Sequence, residues 1–186
     1  MTKKKRTKDI CVYQMKVTLE GISPPIWRKI QVTSDTTLDR FHRILQIIMG
    51  WNDYHLHEFI IGGIHFGVPD EDGLMDVKNE ENMGLSFSIE KTKFTYIYDF
   101  GDDWNHKILV EKILPLDPNT KYPRCIKGKR ASPPEDCGGI GGYYEFIEAI
   151  QDPDNPEHDE MLEWVDEDFD PEAFDLDIIN RELEKI

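Results

Sequence analysis

The stretch FTYIYDFGDDWNHKILV, residues 94–110, decides the fold. Phe94, Tyr96, Tyr98 and Phe100 alternate with Thr95, Ile97 and Asp99, so one face of an extended segment is aromatic. Past a Gly-Asp-Asp step, Trp104, His106, Ile108 and Val110 repeat that alternation. Two such runs around a glycine- and aspartate-rich step predict a hairpin. A three-residue loop, Gly101-Asp102-Asp103, would pair Phe100 with Trp104, Tyr98 with His106, Tyr96 with Ile108 and Phe94 with Val110. All large apolar groups then lie on one side. A two-residue loop would set Phe100 against Asn105 and spoil the match. The triplet Asp99-Phe100-Gly101 also occurs in the metal-binding loop of kinases. Here no HRD triplet precedes it, no APE follows, and no glycine-rich strand-loop lies upstream, which excludes that reading.

Upstream, residues 12–32 read as another hairpin. Tyr13, Met15, Val17 and Leu19 alternate with polar residues, GISPP breaks the run, and Trp27, Ile30 and Val32 resume it. TTLDRFHRILQIIMGW is the clearest helix. Thr37 is placed to cap it, Asp39 sits in its first turn, and Leu38, Phe41, Leu45 and Ile48 form one stripe. Gly50 marks its end. HLHEFIIGGIHFG follows as strand, Gly62-Gly63 turn and short strand, then a loop, then the two strands of the opening stretch, with room for one short strand before them. The order strand-strand-helix-strand-strand predicts an α+β fold, a β-grasp-like sheet over one amphipathic helix.

After Pro115 the chain changes character. Residues 116–142 are rich in Pro, Gly and Lys and read as a long irregular loop. Three helical pieces follow, the second starting at Asn155-Pro156 and the third at Asp170-Pro171. The expected organisation is a basic disordered tail over 1–10 and one domain over 11–186. That domain has a core at 11–115, the loop at 116–142, and an acidic helical part at 143–186.

The net charge of −15 is confined to one region. Residues 143–186 hold 17 of the 37 acidic and two of the 22 basic residues, so residues 1–142 are balanced. Such a block repels a phosphate backbone, which argues against nucleic acid as a partner. It attracts a basic protein, which makes the acidic helices the expected partner surface. The start, MTKKKRTKDICVYQMKV, has a basic cluster but no apolar stretch of signal-peptide length, and no run approaches 18 apolar residues. A soluble cytoplasmic protein without a membrane segment is expected. Cys11, Cys125 and Cys137 are too few and too scattered for a disulfide framework and are read as reduced.

The candidate site residues are His55, His57, Asp99, Asp102, Asp103, Trp104, His106, Asp136 and Cys137. His55 and His57, two apart on a predicted strand, would share a face. With His106 and Asp103 they would make a metal-binding set if the strands adjoin. The plainer role for His106 is a partly buried ring bonded to Tyr98 or a backbone carbonyl. Cys137, beside Asp136 and ahead of a helix, is a position for a thiol of lowered pKa. The glycines of EDCGGIGGYYEF precede a helix as in phosphate loops, but the GK[ST] ending and the GxGxxG spacing are missing.

The segments PPIWRKIQV, LHEFIIGG, YDFGDDWNHKILVEKIL, CIKGKRASPPEDCGGIGGYYEF and DPEAFDLDIINREL together resemble the plasmid pRiA4b ORF-3-like family, over about residues 10–184. The resemblance implies bacterial or archaeal origin and an association with plasmids and transposable elements. It brings no catalytic mechanism and no cofactor. Its typical positions fall on Trp27, His57, Asp99, Gly101, Asp102, Trp104, His106, Pro134, Asp136, Cys137, Gly138, Gly139 and Tyr143. Two functions are expected from all this. One is a non-catalytic binding or adaptor module. The alternative is a metal-dependent hydrolase or nuclease-like enzyme built on the His/Asp set.

Overall fold

The computed structural model describes residues 10–69, 77–87, 89–165 and 169–186. The expected basic tail falls almost wholly outside them. The chain is α+β, with one eight-stranded sheet and four helices among the described residues. In chain order the strands are β1 (Cys11–Leu19), β2 (Trp27–Thr33), β3 (His57–Ile61), β4 (Ile64–Gly67), β5 (Lys78–Asn79), β6 (Lys93–Tyr98), β7 (Trp104–Pro115) and β8 (Arg124–Lys129). The helices are α1 (Leu38–Met49), α2 (Gly139–Gln151), α3 (His158–Trp164) and α4 (Leu176–Leu183). Strand order across the sheet is β5-β4-β3-β6-β7-β1-β2-β8, antiparallel except for β4 with β5. No helix among the described residues is long and apolar enough to cross a membrane.

Period-two alternation puts Tyr13, Met15, Val17 and Leu19 of β1, Phe94, Tyr96 and Tyr98 of β6, and Trp104, His106, Ile108 and Val110 of β7 on one buried face. Helix α1 lies over it. Its stripe, Leu38, Phe41, Ile44, Leu45 and Ile48, is buried, and Phe41 meets Phe59 and Phe94 at ring distances of 5.9 and 6.1 Å. Gly50 ends the helix in the left-handed region at φ 76°, as its sequence position suggested. Thr37 occupies the N-cap position but makes no side-chain cap bond. The far end of α1 is held by Arg28. This buried guanidinium donates to the carbonyls of Ile48, Trp27 and Lys129 and to Ser132 Oγ at 2.8–3.2 Å. Burial pulls its pKa down to about 10.

The opening hairpin forms with the expected faces and a different register. Tyr98 pairs with Trp104, Tyr96 with His106 and Phe94 with Ile108. The connection is therefore the five residues 99–103, and the pairing slips by two relative to the three-residue loop. A slip of two preserves every face, so alternation alone could not detect it. Asp99 causes it. Its backbone turns left-handed at φ 57°, its Oδ1 accepts from Gly101 N at 2.9 Å, and its carbonyl accepts from Asp103 N at 2.6 Å. Phe100 is thereby thrown outward and is 43% exposed.

Four further expectations are corrected. Residues 116–142 are not all irregular, because β8 adds to the edge of β2. Helix α4 secures β8 there through Asn180, whose amide both accepts from Cys125 N (2.8 Å) and donates to Cys125 O (3.0 Å), as a neighbouring strand would. The short strand before β6 is β5, within the stretch read as loop. Helix α3 begins at His158 rather than at Pro156. Helix α4 begins at Leu176, with Asp175 as its cap accepting from Ile178 N. Asp170 instead closes a turn, accepting from Glu172 N and Ala173 N. The three cysteines are free.

Candidate functional site

Two loops meet over the end of the sheet where β6 turns into β7. One is the hairpin connection 99–103, and the other is 131–138, leading into α2. Asp102 Oδ2 accepts from Gly138 N at 3.2 Å, and Trp51 Nε1 donates to Pro133 O at 2.9 Å. Trp51 stacks on Tyr98 and Trp104, with centroids 4.9 and 6.2 Å apart. The Tyr98 hydroxyl accepts from Tyr54 N and donates to Glu135. At Gly139 a Cβ would sit 2.7 Å from the Asp102 carbonyl, and φ is +68°. The hairpin tip and the DCGG segment therefore dock so closely that only glycine fits. Asp99, Asp102, Trp104, Cys137, Gly138 and Gly139 are in large part the framework of this junction.

Beside it opens a cleft of about 470 Å³, lined among others by His42, Asp53, His55, His57 and Glu80. The imidazoles of His42 (α1) and His57 (β3) lie face to face, 3.5 Å apart and 4° from parallel. His57 Nε2 stands 2.9 and 3.0 Å from the two oxygens of Glu80, a carboxylate only 3% exposed. His42 Nε2 lies 2.7 Å from Asp53 Oδ1, and its Nδ1 2.8 Å from the Tyr96 hydroxyl.

The proton positions follow from the partners. Gln46 Oε1 accepts from Asp53 N, so its amide nitrogen faces Tyr96 and donates to the phenol oxygen at 3.0 Å. The phenol proton then goes to His42 Nδ1, and His42 donates from Nε2 to Asp53. The buried Glu80 carboxylate likewise takes its proton donor from His57 Nε2. Burial and the neighbouring His57 ring lower the pKa of His42, while Asp53 partly offsets them. Desolvation holds Tyr96 well above the ordinary phenol value.

His55 precedes β3 rather than sharing a strand face with His57. Its Nε2 points to Asp136 Oδ1 at 3.1 Å and Asp99 Oδ2 at 3.7 Å. That nitrogen is shielded from solvent and makes no hydrogen bond. The predicted set of His55, His57, His106 and Asp103 is not brought together. Among the described residues, His55 groups with Asp99 and Asp136, and His57 with His42 and Asp53, while His106 and Asp103 join neither group. His106 is completely buried, edge-on to Trp51 at 5.3 Å, and its ring nitrogens lack well-directed partners. Desolvation drives its pKa down to about 4, although nearby backbone groups of Tyr96 and Trp104 pull it partly back. Asp103 turns toward Asn105, whose Nδ2 donates to it at 2.8 Å. Cys137 is the opposite of an activated thiol. Burial, then Asp102 and Asp136, push it up to about 12.

Sequence reasoning passed over His42, Asp53 and Glu80. His42 had a usable signal, since it lies four residues after Leu38, on the apolar side of α1. Glu80 sits in a stretch without periodicity and had none.

A single antiparallel-dominated sheet, one helix across its face, and a loop junction beside a histidine- and carboxylate-lined cleft define the class of α+β protein to which this chain conforms. The chain belongs to the plasmid pRiA4b ORF-3-like protein family, whose profile matches residues 11–178. It is 36% identical over 179 residues to the uncharacterized protein y4hQ of Sinorhizobium fredii, across 94% of this chain and 92% of that one. It is 40% identical to the protein of unknown function MM3350 from Methanosarcina mazei Go1. That crystal structure superposes with a TM-score of 0.83, covering 91% of this chain and 98% of the other. These relatives support the fold and indicate no catalytic function.

Proposed function

We propose that the protein is a non-catalytic adaptor that captures a basic, apolar-anchored segment of a partner protein. A β-grasp-like sheet serves as scaffold and the acidic C-terminal helices serve as the recognition surface. One observation carries this reading. A groove of about 330 Å³ at α2 and α3 has Phe146, Met161 and Trp164 in its wall, and Glu145, Glu157 and Glu160 among its lining. Trp164 is 44% exposed and α3 buries none of its residues, so apolar surface stands open beneath carboxylates. A lysine- or arginine-rich segment with one aromatic or aliphatic side chain complements both features. The family description names a plasmid open reading frame, which supports a plasmid setting. A link to mobile elements and a place in the cytoplasm belong to the same proposal. Fluorescence anisotropy with labelled Lys/Arg peptides, with and without a central Phe or Leu, tests the reading. Salt-sensitive binding that requires the apolar residue and is lost in Glu157→Gln/Glu160→Gln and in Trp164→Ala is expected. Equal binding by wild type and these variants would refute it.

The buried His57–Glu80 pair at the wall of the cleft favours a second reading, a metal-dependent hydrolase in which His57 exchanges protons with substrate. Hydrolysis of phosphodiester or ester substrates that depends on added metal and falls in His57→Gln would favour it over the adaptor. No metal-dependent turnover would leave the adaptor standing.

A further inference from the structure

We propose that His55, Asp99 and Asp136 form a binding site for one divalent first-row transition ion of the manganese, iron or zinc type. The three come from separate segments: the approach to β3, the β6–β7 turn and the loop before α2. Their ligand atoms lie within 4.8 Å of one another. His55 Nε2 has a carboxylate oxygen at 3.1 Å, yet it is occluded from water and the contact is not aligned as a hydrogen bond. Two ligands each about 2.1 Å from an ion, with an angle of 90–110° between them, are about 3.0–3.4 Å apart. The His55–Asp136 separation is of that size, and the 3.7 Å to Asp99 closes with a small carboxylate rotation. Asp99 is 7% exposed, its Oδ1 is taken by Gly101 N, and its Oδ2 faces the His55 nitrogen from beyond hydrogen-bond range.

The neighbouring His42–Asp53–His57 group meets the same distance criterion but is a poorer site. The hydrogen-bond sequence from Gln46 through Tyr96 puts the proton of His42 on Nε2, the atom a metal would need. Two parallel rings 3.5 Å apart also cannot both aim an in-plane lone pair at one ion. His55 has neither obstacle. One imidazole and two carboxylates suit the borderline-hard ions named above, and three protein ligands leave positions open. Cys137, next in sequence to Asp136, does not belong to the group of ligand atoms within 4.8 Å of one another.

This proposal does not rest on the peptide groove. Asp136 borders both features, whereas Glu157 and Glu160 border only the groove, so Glu157→Gln/Glu160→Gln separates them. The full chain, stripped with a chelator and dialysed, is titrated with Zn²⁺ and with Mn²⁺ by calorimetry, and bound metal is counted by elemental analysis. One ion per chain is expected, with a raised melting temperature. His55→Ala and Asp136→Asn should each weaken uptake by more than about tenfold. Asp103→Asn, whose carboxylate faces Asn105, should not. Circular dichroism confirms that the variants fold, and Asp136 is exposed enough for its variant to do so. No saturable uptake, or uptake that survives both ligand substitutions, would overturn the site.

Discussion

His106 offers the sharpest test of the physics of the core. Its ring is fully buried between Trp51 and Tyr96 and lacks well-directed hydrogen bonds, so the structure holds it neutral. The folded pKa of about 4 lies below the unfolded value of 6.5, so the unfolded chain takes up the proton first as pH falls. Its neutral form supports the fold fully above pH 6.5, and that support is lost as pH drops towards 4. The full gap corresponds to about 3 kcal/mol, of which about 2 kcal/mol is lost by pH 5. Replacing His106 by Leu keeps the volume and removes two unsatisfied nitrogens. At pH 7.5 the variant should be as stable as wild type or more so by about 1 kcal/mol. Between pH 7.5 and 5 it should lose about 2 kcal/mol less than wild type. Urea unfolding followed by tryptophan fluorescence at both pH values measures this. His42 has the same sign of shift in both proteins and cancels in the difference. Equal acid losses, or a Leu variant weaker than wild type by 3 kcal/mol or more at neutral pH, would refute the account.

Other expectations follow from single contacts. Tyr96→Phe strands Gln46 Nε2 and His42 Nδ1 and should cost about 1–3 kcal/mol in chemical denaturation, with the His42 ring resonances shifting in NMR spectra. Gly142→Ala drives a Cβ into the Cys137 carbonyl and should destabilise by about 1–3 kcal/mol, read as a lower melting temperature. Arg28→Met keeps the aliphatic stem but frees the Ile48 and Lys129 carbonyls, and should cost about 2–4 kcal/mol, with faster amide exchange in the last turn of α1.

Parts of this fold were legible in the chain and parts were not, and the division follows the range of the interaction. Tyr96, Tyr98, Trp104 and His106 announce their shared face because alternation is a property of adjacent residues. The same holds for the stripe of α1 and for Gly50 at its end. The register of β6 on β7 was missed because a two-residue slip leaves alternation intact, and the left-handed turn at Asp99 decided it. Strand β8 was missed because its pairing partner, β2, and the clasp from Asn180 lie far away in sequence.

The candidate site divides in the same way. Its residue types were visible: His55, Asp99, Asp136 and the glycines of the DCGG segment all stand out in the chain. Their grouping was not. His55 and His57, two apart in the chain, go to different clusters, while Asp99 and Asp136, 37 positions apart, come to one nitrogen. Within the long strands and α1, sequence alone determined which side chains face inward, because burial there is set by local periodicity; outside them, at Phe100 and Glu80, it did not. Only the tertiary structure decided which of them meet, because that depends on how two distant loops dock over the end of the sheet.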